Sequence, residues 1–182
     1  PLIVAARWGG HVDVARALLD KGAVVDEVVN EIYDTALMTA VIWGHLDLVD
    51  YLIERGADIK RKDQSGQSPL HIAVGSGHFA EVRYLHEKGL SVNEDTGRGL
   101  PPLFDVGIDR VENRYILEYL IEHGAKVNQK SDVGTTPLMM ASSSGSAEAV
   151  RIMIANGAVV RDTDDEGKTP LHYACDGIRD YY

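Results

Sequence analysis

The chain is predicted to be an all-α solenoid of stacked helix–turn–helix units joined by β-hairpin-like loops, and three observations carry that prediction. A short phrase built on Thr-Pro-Leu-His, followed about eight residues on by Gly-His in its fuller copies, returns at spacings of 33 to 35 residues. Behind each phrase, apolar residues recur at helical spacing. Glycines punctuate both halves of most units at matching places. Repetition at a fixed period of this size marks a repeat architecture.

The phrase reads Thr35-Ala36-Leu37-Met38, Ser68-Pro69-Leu70-His71, Pro101-Pro102-Leu103-Phe104, Thr136-Pro137-Leu138-Met139 and Thr169-Pro170-Leu171-His172, with a degenerate Pro1-Leu2-Ile3-Val4 at the start. A Thr hydroxyl caps free backbone N–H groups, and Pro fits the first helical position, where no N–H is needed. Each phrase therefore opens a short inner helix, which ends at a glycine such as Gly10, Gly44, Gly77 or Gly145. A second helix follows, with its core stripe in Val14, Leu18 and Leu19, then Leu48, Val49, Leu52 and Ile53, then Val82 and Leu85, and later Val150, Ile152, Met153 and Ile154. Gly22, Gly56, Gly89, Gly124 and Gly157 stop these second helices. Ala6, Ala40, Ala73, Ala141 and Ala174 fall at one inner-helix position, where a small side chain lets neighbouring helices approach.

The period and the phrase resemble the ankyrin repeat family over essentially the whole chain. The resemblance implies a single domain, 1–182, with repeats at about 1–29, 30–62, 63–95, 96–130, 131–163 and a partial one at 164–182. One unit cannot bury its own apolar face, so stability comes from stacking. The last unit keeps the intact phrase where a finished array carries a polar cap, so the parent protein is expected to begin before residue 1 and continue past residue 182.

Composition narrows the function. No run of about 18 apolar residues is present, so no membrane span is expected. The formal charge of −10 is the wrong sign for tracking phosphates and argues against nucleic acid. A single cysteine, Cys175, excludes an intrachain disulfide framework and fits the cytoplasm or nucleus; it is read as core. His11, His45, His78, His71 and His172 sit at structural positions of the repeat, and His86 and His123 lack metal-ligand spacing. Ser142, Ser143 and Ser144 have no paired base and read as a polar helix face. No enzyme, cofactor, metal or small-molecule substrate is expected. Asn93 and Asn128 match the hairpin asparagine that some ankyrin proteins carry as a hydroxylation substrate.

The resemblance implies a scaffold for protein–protein interaction, holding a protein or peptide on a concave side made of hairpin tips and exposed inner-helix faces. The helix-end positions are Trp8 and Gly9, Ile42 and Trp43, Gly75 and Ser76, and Ser143 and Ser144. Hairpin tips add Ile32, Tyr33 and Asp34, then Gln64, Ser65 and Gln67, then Arg98 and Leu100. Farther on come Asp132, Val133 and Thr135, then Asp165, Glu166 and Lys168. Along this surface the character runs from aromatic in repeats one and two, through small and polar in three and five, to acidic in six. Aromatic residues dominate binding energy when they fill a partner's pocket, which places the site in repeats one and two. The other reading is that Trp8 and Trp43 pack on each other and on Tyr33. Repeat four departs most, with Pro101 for the capping Thr, Val106 for the small Ala and two extra residues. Its insertion is expected to bulge between the helices as a contact loop with Asp109, Arg110 and Arg114, or as drift, and to make this repeat the weakest joint. A second function class is a regulatory or targeting segment of a larger enzyme, channel or ubiquitin-ligase adaptor.

Overall fold

Hydroxyl-bearing residues start the inner helices in the way their chemistry dictates. Thr35 Oγ1 accepts the Met38 N–H at 3.2 Å and opens α3, Ala36–Ile42; Thr136 Oγ1 accepts the Met139 N–H at 3.4 Å and opens α8, Pro137–Ser143. In α5, Pro69–Ser76, and α10, Pro170–Asp176, the phrase histidine answers the cap. The Ser68 and Thr169 backbone N–H groups donate to Nδ1 of His71 and His172 at 3.2 and 3.1 Å. A backbone N–H only donates, so each Nδ1 is an acceptor and the neutral ring carries its proton on Nε2. This is a capping box with imidazole in the place usually held by Glu or Gln. The first inner helix is α1, Leu2–Arg7.

Each outer helix ends where a glycine turns the chain. In α4, Leu46–Glu54, the Gly56 N–H reaches Ile53 O and the Ala57 N–H reaches Leu52 O, both at 3.0 Å. Gly56 sits at φ 91°, a left-handed conformation that closes this bonding pattern. Its counterparts are α2, Val12–Asp20, α6, Phe79–Glu87, α7, Val111–Glu122, and α9, Ala147–Ala155.

The computed structural model describes residues 2–28, 35–106 and 111–176, side chains at 111 and 112 excepted. It is all helical among the described residues, with no strand. Two compact units divide it, Pro1–Leu90 and Ser91–Tyr182. In the first, inner helices α1, α3 and α5 lie side by side, and outer helices α2, α4 and α6 form a second layer, each against its own inner partner. Leu37, Met38, Leu48, Leu52, Leu70 and Leu85 are sealed between the layers. Ala6, Ala40 and Ala73 are fully buried at the close-approach position. The Gly-His pairs serve stacking here. His78 packs on Gly44, where an added Cβ would meet the ring at 2.8 Å, and its Nε2 lies 3.0 Å from Ile42 O.

In the second unit α8 packs against α9 and α10, and α7 against α9, around Leu103, Ile116, Leu117, Leu120, Leu138 and Met139. Among its described residues repeat four has no inner α-helix. A single 3₁₀ turn, Pro102–Asp105, stands in its place. Pro101 offers no hydroxyl to cap a helix, and the chain leaves helical geometry at Val106, ψ 103°. The outer helix of this repeat runs for 12 residues instead of 9. The expected bulge, with Asp109 and Arg110, lies outside the described residues.

Three other expectations are corrected. Val14 is 47% exposed and Leu18 and Leu19 only half-buried, because α2 packs on one side alone and seals itself with Ala15. Val150, Ile152 and Ile154 are likewise incompletely covered. Cys175 is exposed, since α10 packs on α8 and no described element covers its other side.

Candidate functional site

The helix-end positions of the first unit are exposed as a group. Trp8 follows the last turn of α1 and is 75% exposed; Ile42 and Trp43, at the end of α3, are 38% and 49% exposed. Ile42 is the one-repeat equivalent of Trp8, so large side chains occupy the same place on consecutive inner helices. No ring contact joins Trp8 to Trp43 among the described residues. Ser76, at the end of α5, is half-buried. Ile32, Tyr33 and Asp34 lie outside the described residues.

Hairpin tips are held by a side chain the sequence reading passed over. Asp63 Oδ1 accepts the N–H groups of Ser65 and Gln67, each at 2.8 Å, and the Asp63 N–H donates to Gln67 O at 2.9 Å. Gln64 and Ser65 project as the exposed tip and Gln67 is half-buried. Ser131 plays the same part for Val133 and Thr135, and Asp164 for Glu166 and Lys168. The signal was present: an Asp or Ser stands five residues before each of Ser68, Thr136 and Thr169. In repeat four the equivalent, Asp95, precedes Pro101 by six, and its Oδ1 takes the N–H groups of Gly97 and Leu100. Burial pulls the Asp95 carboxyl up, but N–H donors from Gly97, Leu100, Gly99 and Arg98 together hold it below its ordinary range. The Tyr173 hydroxyl, donating to Asp164 Oδ2 at 2.7 Å, holds the Asp164 carboxyl low, helped by the Lys168 and Glu166 N–H groups.

Hairpins join their neighbours through main chain. The Asp132 N–H donates to Arg98 O at 3.1 Å and the Asp165 N–H to Val133 O at 3.2 Å, leaving the Arg98 side chain exposed. Asn93 and Asn128 each bridge to the next repeat. Asn93 Nδ2 donates to Gly124 O at 2.8 Å and its Oδ1 accepts the Lys126 N–H at 2.9 Å. Asn128 does the same with Gly157 and Val159. Arg114 pairs with Glu118 and Glu148 on the outer helices.

Among the described residues no three His, Cys, Asp or Glu side chains converge to hold a metal. Ser142 and Ser144 hydroxyls are bonded to the Leu138 and Ala141 carbonyls. Among the described residues no helix is long and apolar enough to cross a membrane. The inner face of repeat five is less polar than expected, because Met140 is 43% exposed. The doublet Pro101-Pro102, which shortens the neighbouring inner segment, was the available signal.

A family profile described as ankyrin repeats matches in three copies, at residues 1–63, 59–131 and 108–181. A probable E3 ubiquitin-protein ligase of Oryza sativa subsp. japonica is 33% identical over 85% of this chain, which covers 30% of that protein. A putative palmitoyltransferase of Danio rerio is 31% identical over 82% of the chain and 23% of its own length. An ankyrin repeat and KH domain-containing protein of Drosophila melanogaster is 45% identical over 38% of the chain and 2% of its own length. The chain thus spans less than a third of each of these relatives. With the profile running from one end of the sequence to the other, the chain belongs to the ankyrin repeat family.

Proposed function

We propose that the chain is a non-catalytic recognition module that holds a protein or peptide against its inner helix ends and hairpin tips, with repeats one and two as the main site. One observation carries this reading: Trp8, Ile42 and Trp43 are all substantially exposed at helix-end positions. Ordinary surface positions seldom spend two tryptophans on solvent, and anchors of this kind cost about 2 kcal/mol or more on truncation when a partner encloses them. Ankyrin repeats are protein–protein interaction modules and generally non-catalytic, which agrees. Gln64, Ser65, Gln67 and Ser76 form the polar surround. Ile32, Tyr33 and Asp34 belong to the same proposal by their hairpin position; Arg98, at a hairpin tip, and Asp109 and Arg110, in the repeat-four insertion, are proposed as further contacts on the second unit. A charge of −10 disfavours nucleic acid as the partner, and the compartment proposed is cytoplasm or nucleus. A quantitative pull-down comparing the native chain with a folded Trp8→Ala, Trp43→Ala variant tests this. Loss of a partner supports the site; an unchanged partner set removes both tryptophans from it.

A second reading places the repeats as the regulatory or targeting segment of a larger protein. Two relatives, a probable E3 ubiquitin-protein ligase and a putative palmitoyltransferase, favour it, because this chain matches under a third of each. Sequencing the full reading frame decides between the two.

A further inference from the structure

We propose that the second unit carries its own docking notch, for a basic peptide segment with one central apolar side chain. The notch rests on the recognition reading above but shares none of its residues with the tryptophan surface. It exists because repeat four has a 3₁₀ turn where an inner helix would stand. Met140 shows the effect. Its one-repeat equivalents Thr39 and Ile72, each flanked by a complete preceding inner helix, are 5% and 9% exposed, whereas Met140 is 43% exposed. A cavity of about 180 Å³ opens there, walled chiefly by Leu103, Phe104, Val106, Met140 and Met153, with Asp105 and Ser144 also lining it. A closed cavity of about 150 Å³ holds a benzene ring, so one Leu, Met or Phe side chain fits.

Charge selects what flanks that anchor. Asp132 and Asp165 occupy equivalent tips of consecutive hairpins, both exposed, and neither carboxylate has an ion-pair partner. Met140 in α8 and Ser144, the residue that caps its C-terminus, lie four residues apart on one face, within about 12 Å of the hairpin base at 1.5 Å per residue. An extended segment therefore reaches both features, its Lys or Arg side chains opposite the aspartates and its apolar residue in the notch. Acidic flanks would be repelled.

The test uses the whole 182-residue chain and three sets of labelled nine-residue peptides, read by fluorescence polarisation. One set has Leu, Met or Phe at the centre and Lys or Arg around it, one has Gly at the centre, and one has Asp or Glu around it. The basic, apolar-centred set is expected to bind best, with Gly at the centre weakening it about tenfold and the Met140 methyl signal shifting on titration. Asp132→Asn with Asp165→Asn should weaken binding and flatten its salt dependence. Ser144→Leu, which fills the notch, should abolish it, with Met140→Gln as a second variant should the first fail to fold. Trp8→Ala should leave it unchanged, which separates this site from the first. Equal binding of Gly-centred peptides, a preference for acidic flanks or an unmoved Met140 signal overturns the proposal. So does a Met140 signal that shifts with protein concentration alone, which would make a second copy of this chain the occupant.

Discussion

Asp26 stands where repeats three and four carry Asn93 and Asn128, and the difference of one atom is legible in the bonding. Its Oδ2 accepts the Asp58 N–H at 3.0 Å, as the asparagine oxygens do for Lys126 and Val159. Its Oδ1, buried, has no hydrogen-bond partner, where Asn93 and Asn128 present an NH₂ to a glycine carbonyl. Asp26→Asn is therefore expected to stabilise the chain by about 1 kcal/mol, read as a higher urea midpoint at unchanged slope. The converse change, Asn93→Asp, should lower the midpoint. Gly44 offers the opposite case. At φ 71° and against the His78 ring, an alanine there meets both a left-handed backbone penalty of about 1 kcal/mol and a collision at 2.8 Å. Gly44→Ala should destabilise by at least the first amount, and His78→Ala should relieve only the second. The sequence reading placed His78 among the structural histidines of the repeat. What it could not supply was the partner, because Ile42 O and Gly44 belong to the preceding repeat.

Among elements, the hairpin of repeat six and α10 are tied together by Asp164, whose carboxylate takes the Tyr173 hydroxyl and two backbone N–H groups. Its carboxyl is held below the ordinary value of 3.8, the Tyr173 bond being the largest cause. A carboxyl depressed on folding contributes stability that is full above its unfolded value and is lost as pH falls through the folded one. Acid titration should thus loosen this hairpin below about pH 4, with the Tyr173 ring resonances following the transition. Asp164→Asn, which cannot titrate, should remove that pH dependence. Repeat four is the other instructive element. Its departure from the repeat was readable in Pro101 and Val106, yet the 3₁₀ form it takes was not, since a capped helix and a 3₁₀ turn begin with the same Pro-Leu step. Amide exchange should be faster across Leu103–Asp105 than in α5 or α8; equal protection would contradict that account.

At the scale of the whole molecule, both tryptophans lie in the first unit, while helices of both contribute to circular dichroism. Repeat arrays unfold by local units when one joint is weak, and repeat four is the most depleted of its packing devices. The tryptophan transition in urea is therefore expected at higher denaturant than the dichroism midpoint, and coincident curves would show one cooperative body. The architecture was readable because each repeat solves its own capping and termination locally. The open flanks of α2, α9 and α10 were not, because burial there depends on what stands beside each helix and not on its own apolar stripe. The glycine and histidine of one stacking contact sit on different copies of the repeat. Gene duplication that copies one whole period, wherever it starts, carries the glycine forward with its histidine and recreates the contact at the new junction. A partial copy separates the two and breaks it.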